Sequence, residues 1–169
     1  LRFNKNVKLK VFGTIQANGN ASSPIILEAK NPKLGWGGIE IKNKSNIADF
    51  IFFPNDLDQF EYINSFLNIF YLNIIKSSIT ELDNEIRWVQ IKNVIGTDEN
   101  NFPALKIIDS NLKFENAIIK DSIHGESILA NNSLVKINNV KASACASVNI
   151  VTSLKSFMII KNSSFEVSC

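Results

Sequence analysis

The chain has 169 residues, of which 45% are hydrophobic and 20% are charged, and its formal net charge is +2. This composition is typical of a single folded domain and excludes an intrinsically disordered chain. The basic residues form no cluster, so we expect no nucleic-acid partner. The apolar runs are much shorter than the roughly 20 residues of a transmembrane helix, so we expect no membrane span.

Short segments of alternating apolar and other residues recur along the chain, and all but the first end in asparagine. In chain order they are LKVFG at 9–13, IEIKN at 39–43, FEYIN at 60–64, VQIKN at 89–93, LKFEN at 112–116, VKINN at 135–139 and MIIKN at 158–162. The period of two predicts short β-strands. The last three steps are each 23 residues, which predicts equal structural turns, with loops inserted between the earlier copies.

A second set of strands follows the same step, at 104–108, 127–131 and 150–154. Several short strands in each repeat predict an all-β fold, a right-handed parallel β-helix of about seven coils. Only residues 65–79 are ambiguous, since their apolar sequence suits either coil strands or a lateral insertion. We expect residues 1–169 to form one β-helix domain of a longer extracellular chain.

The recurring asparagine has a physical explanation in a solenoid turn. Asparagine tolerates the left-handed backbone that a sharp turn requires, and its amide can bond the equivalent amide in the next coil. We therefore predict an internal ladder that fixes the register of the coils. Its members would be Asn43, Asn64, Asn93, Asn116, Asn139 and Asn162.

Residues 13–41 contain a pattern of glycine, proline and tryptophan that resembles a known family. The residues that carry the resemblance are Gly13, Gly19, Pro24, Ile25, Trp36, Gly37, Gly38 and Ile39. The stretch is similar to secreted right-handed β-helix proteins, which include bacterial surface proteins and the extracellular region of the bark beetle (anakonda) proteins. The resemblance implies the β-helix fold and a secreted or cell-surface location. Trp36 would cover a coil, and its alternative role is stacking on a sugar.

Some β-helices are polysaccharide lyases or hydrolases, so a catalytic site on the outer surface has to be considered. Such catalysis needs paired carboxylates, or a calcium-binding carboxylate cluster with a basic residue. The 23-residue step places Asp98 beside Asp121, but Ala144 and Val167 follow, so the acidic column ends. We predict no catalytic residue.

Two other acidic stretches are candidate metal sites. His124 lies in a turn with Asp121 and Glu126, and residues 55–61 contain three acidic side chains. The first set is typical of a solvated turn, and the second lacks the glycine and spacing of a calcium-binding loop. We predict no metal and no cofactor.

The cysteines and the glycosylation motifs bear on the compartment. Cys145 and Cys169 are one coil plus one position apart, which would allow a disulfide in an oxidising compartment; two buried free thiols are the alternative. Asn20 and Asn131 lie in predicted turns and are possible glycosylation sites.

The sequence therefore predicts a structural or adhesive extracellular segment, a rigid spacer that presents a surface to a protein or glycan partner. The expected neighbours are further coils or domains of the same parent chain. The alternative is a carbohydrate-active β-helix, lyase-like or hydrolase-like, whose site lies mostly outside this segment.

Overall fold

A computed structural model describes residues 1–42, 84–96, 102–145 and 150–167. In these ranges the chain is all-β, with no helix. The strands are β1 (Arg2–Phe3), β2 (Leu9–Val11), β3 (Gln16–Asn18), β4 (Ile25–Ala29), β5 (Ile39–Lys42), β6 (Glu85–Arg87), β7 (Val89–Lys92), β8 (Leu105–Ile108), β9 (Asn111–Ile123), β10 (Ile128–Asn131), β11 (Leu134–Cys145), β12 (Val151–Leu154), β13 (Phe157–Lys161) and β14 (Ser164–Val167).

The strands form two parallel sheets, which the chain visits in turn. The smaller sheet has the order β12-β10-β8-β5-β2, and its pairs are all parallel. The larger sheet contains the other nine strands, again in parallel pairs. The predicted all-β class and the parallel pairing are confirmed, and β8, β10 and β12 are the predicted second set of strands.

The larger sheet has two branches that meet in β9 and β11. In the first branch β3 pairs with β6, β6 with the first half of β9, and the first half of β11 with β13. In the second branch β4 pairs with β7, β7 with the second half of β9, and the second half of β11 with β14. Asn116 and Asn139 have φ angles of 51° and 53° at the joint, because a sharp bend in a continuous strand requires the left-handed region.

Register shows that the predicted copies do not stack in one column. LKVFG and IEIKN belong to the smaller sheet, VQIKN to the second branch, and LKFEN, VKINN and MIIKN to the first branch, while FEYIN lies outside the described residues. The offset between β6 and β9 is 28 residues, so Asn93 lies beside Asp121 and not beside Asn116. The prediction of one continuous asparagine column was therefore wrong.

The core lies between the sheets and consists of apolar columns that run from strand to strand. One column is Ile86, Phe114 and Ile137, whose side chains are at most 1% exposed. The next residue in register is Ile160, which is 45% exposed. Stacking therefore buries each residue fully only where a further strand covers it.

Trp36 also belongs to this interior, since none of its surface is exposed. Its ring stacks on Phe3 with a centroid distance of 4.2 Å, and its Nε1–H donates to the Lys92 carbonyl at 2.8 Å. The alternative role of Trp36 as an exposed sugar platform was therefore wrong. Gly38, two residues later, has a φ of 78° and lies so close to Pro103 that a Cβ would be 2.5 Å from its carbonyl oxygen.

Serines satisfy the backbone at another bend. The Ser133 hydroxyl accepts the Ser110 backbone N–H at 3.2 Å and donates to the Asn131 carbonyl at 2.7 Å. The Ser156 hydroxyl, 23 residues later, accepts the Ser133 backbone N–H at 3.0 Å and donates to the Leu154 carbonyl at 2.7 Å. This serine ladder, which sequence reasoning missed, satisfies backbone groups between strands as we predicted for asparagine.

Candidate functional site

The joint between the two branches is a column of left-handed residues on the outer surface, which we call the joint column: Trp88, Asn116, Asn139 and Asn162. The Asn139 amide donates to the Asn116 side-chain oxygen at 2.8 Å. The Asn162 amide instead reaches the Asn138 side-chain oxygen at 3.0 Å. The asparagine contacts are therefore real but do not form a regular ladder.

The prediction that the ladder is internal was also wrong. Asn139 and Asn162 are exposed, and Asn116 is half-buried. The left-handed bend breaks the alternation of the strand, so the buried Ala117 follows directly after the outward pair Glu115 and Asn116. Asn43 and Asn64 lie outside the described residues.

A shallow groove with a volume of about 260 Å³ follows this joint column. Its lining mixes one indole, three carboxamides, one amine and small apolar groups. The residues that line it are Ala21, Pro24, Trp88, Val89, Gln90, Asn116, Ala117, Ile118, Asn139 and Lys141. The groove thus combines an aromatic surface with hydrogen-bonding groups, a common composition for ligand sites.

The turn between β3 and β4 forms one wall of the groove, and its backbone is fixed against Trp88. The Gly19 N–H donates to the Arg87 carbonyl at 3.0 Å, and the Ile25 N–H donates to the Trp88 carbonyl at 2.9 Å. A Cβ at Gly19 would be 2.6 Å from that same Trp88 oxygen, so the close approach requires glycine. Inside the turn, the Asn20 side-chain oxygen accepts the Ser22 and Ser23 backbone N–H groups.

Beside the groove, the first branch carries a network of ion pairs on its outer face. Lys113 Nζ lies 3.1 Å from Glu85 and 3.3 Å from Glu115, and Arg87 lies 3.1 Å from Glu85. Burial alone would raise the pKa of Glu85, but Lys113, Arg87 and Asn18 outweigh it and hold that pKa below its usual value. The hydrogen bond to Glu85 raises the pKa of Lys113. Glu85 and Lys113 therefore hold each other in their ionised forms.

Among the acidic candidates that lie in the described ranges, the structure brings none into a site. Asp121 and His124 are exposed residues at left-handed positions, while Asp98 and residues 55–61 lie outside the described residues. Within the described ranges, no group of three His, Cys, Asp or Glu side chains could hold a metal ion. No helix in the same ranges is long and apolar enough to cross a membrane.

The remaining predicted residues are placed as follows. Asn20 is exposed in its turn, but Asn131 is half-buried at the end of β10, so its predicted turn location was wrong. Cys145 ends β11, and Cys169 lies outside the described residues, so their disulfide stays a prediction.

Sequence reasoning missed Trp88 and Lys141, the two residues that give the groove its aromatic and charged character. The available sequence signal was the tryptophan itself, which directly precedes VQIKN. At the observed offset of 28 residues, Trp88 aligns with Asn116. Comparison of the chain with family models, with curated proteins and with solved structures gave no match.

Proposed function

We propose that the chain is a segment of right-handed parallel β-helix that acts as a rigid spacer and adhesive element of a secreted or cell-surface protein. Its sides would present a binding surface to a protein or glycan partner. The repeated order of smaller sheet, first branch and second branch supports a closed β-helix. The resemblance of residues 13–41 to secreted β-helix proteins supports the extracellular location.

The observation that carries the proposal is the open end of the apolar columns. Leu134 and Ile137 are 3% and 0% exposed, whereas Phe157 and Ile160, which follow them in register, are 40% and 45% exposed. Strand β13 also leaves one edge unpaired among the described strands. An uncovered core and an unpaired edge together favour further β-structure stacked on this end, and we propose that coils or domains of the same parent chain provide it.

The carboxylate at the centre of the ion-pair network, Glu85, is unsuited to act as the acid of a glycosidase. A glycosidase needs a carboxylic acid that keeps its proton near neutral pH, and such an acid has a raised pKa. Glu85 has a lowered pKa and is bound to two cations. This carboxylate is suited to fixing neighbouring strands and not to donating a proton.

The test of this proposal measures binding and turnover together. The purified chain is applied to an array of cell-surface and polysaccharide glycans, and every bound glycan is then assayed for cleavage products. We expect binding without cleavage. Cleavage that persists after repurification would overturn the proposal and favour a carbohydrate-active enzyme.

The open end has its own test, sedimentation velocity at increasing protein concentration. We expect the chain to associate, and we expect Phe157→Lys with Ile160→Lys to abolish association because charges block an exposed strand edge. The matched control is Lys136→Glu with Lys161→Glu, on outward side chains of the same branch. A wild-type chain that stays monomeric at all concentrations would contradict the open end.

A further inference from the structure

The groove beside the joint column contains an unexpected residue for its backbone position. Trp88 has a φ of 53°, in a column where the next three residues are asparagines at 50° to 53°. A bulky side chain is strained in the left-handed region, whereas asparagine is among the residues that tolerate it. Such strain is concentrated at functional sites, so the indole at this position calls for a functional explanation.

The sheet around the groove excludes one common mode of recognition. Strands β7, β9 and β11, which carry most of the lining, are each paired on both sides. Within the described part of the chain, these three strands offer no free backbone edge to which a peptide could add as a β-strand. Recognition here must use side chains, namely one indole, the carboxamides of Gln90, Asn116 and Asn139, and the amine of Lys141.

The lining of the groove contains one charged group, the amine of Lys141. None of the ion pairs among the described residues involves Lys141. The outer face of the second branch beyond the groove carries both signs, since Lys120 lies 4.0 Å from Asp121 and Glu28 lies 2.9 Å from Arg2. The amine of Lys141 is therefore the group that a ligand with a negative charge would complement.

We propose that this groove binds a sugar residue that bears a carboxylate, such as the terminal or internal acidic unit of a glycan. The apolar face of the sugar ring would stack on Trp88, since an indole offers a large flat apolar surface. Its hydroxyl groups would bond the carboxamides, which both donate and accept. Its carboxylate would pair with Lys141. This inference rests on the proposed adhesive function and specifies its ligand.

The hydrogen bonds within the turn between β3 and β4 indicate that the groove is already formed before a ligand binds. The Asn20 side chain accepts two backbone N–H groups and the Ser22 hydroxyl, so the turn that carries Ala21 and Pro24 is internally bonded. A preformed site loses less conformational freedom on binding than a mobile one. A glycan attached to Asn20 would stand next to this wall, so the test uses protein made in a host that does not glycosylate.

The test uses the whole chain and the probes sialyllactose and lactose, which differ by the acidic sugar. Trp88→Asn is the main variant, because asparagine occupies the same column and backbone angle at three other positions. We expect it to weaken sialyllactose binding about tenfold. Lys141→Gln should weaken sialyllactose binding about tenfold and leave lactose binding unchanged, while Lys141→Arg should restore it.

A measurement on the wild-type chain covers the case in which Trp88→Asn fails to fold. The chain has two tryptophans, and Trp36 is fully buried. Sialyllactose should therefore protect the Trp88 fluorescence from quenching by acrylamide. The inference is overturned if sialyllactose neither binds nor protects Trp88, if Trp88→Asn binds it as well as wild type, or if Lys141→Gln has no effect. Those results would leave the adhesive function standing, whereas cleavage of a bound glycan would refute it.

Discussion

The open end of the core makes a quantitative prediction for two isoleucines in one column. Ile137→Ala removes a fully buried side chain between Phe114 and Ile160, so it should cost about 2–5 kcal/mol of unfolding free energy. Ile160→Ala removes the same three carbons, worth roughly 0.8 kcal/mol each when buried. Ile160 is 45% exposed and can leave no closed cavity, so its cost should be about 1 kcal/mol.

The assay is urea denaturation of both variants and the wild type, at a protein concentration low enough to prevent association. The two variants should shift the midpoint by clearly different amounts at an unchanged slope. Equal costs would mean that Ile160 is as well covered as Ile137. That result would refute the open end and remove the main support for a stacked neighbour.

Three further predictions concern stability. Ser133→Ala should cost about 1–3 kcal/mol, because it leaves the buried Ser110 N–H without its acceptor; urea denaturation would measure this, with the outward Ser143→Ala as control. Glu85→Gln should make the stability of the fold less sensitive to acid than it is in the wild type. The folded pKa of Glu85 lies below its unfolded pKa, so the carboxylate stabilises the fold above the unfolded pKa. This contribution is lost as the pH falls through the folded pKa. Equal acid sensitivity of variant and wild type would contradict this. Gly38→Ala should lower the melting temperature by several degrees, because its Cβ would be 2.5 Å from the Pro103 oxygen at a φ of 78°, whereas Gly13→Ala has open space and should be neutral.

The sequence predicted strands and parallel stacking well, because alternation and a constant step reflect burial directly. Leu105, Ile128 and Val151 stack as their 23-residue spacing indicated. The predicted strand register was wrong where the spacing between paired strands is 28 residues instead of 23. A strand that ends in asparagine looks alike in either branch of the larger sheet, so a constant step aligns VQIKN with LKFEN, although the offset in the structure is 28 residues.

The direction of the asparagines could not be predicted for a related reason. Alternation gives the face of a residue only within a continuous strand, and the left-handed angle at Asn116 breaks it. The groove was missed because it depends on that bend and on the altered offset together. Once Trp88 is aligned with Asn116, the tryptophan, the carboxamides and Lys141 lie on one surface.

The register that places Trp88 beside Asn116 builds the groove, and disulfide cross-linking measures this register directly. Cysteines at Gln90 and Ile118, with Cys145 and Cys169 replaced by serine, are neighbours in register and should form an intramolecular disulfide under mild oxidation. Cysteines at Gln90 and Lys113, which a 23-residue offset would bring together, lie in different branches and should stay reduced. A disulfide in the second pair and none in the first would contradict the register, the groove and the acidic-sugar ligand inferred from them.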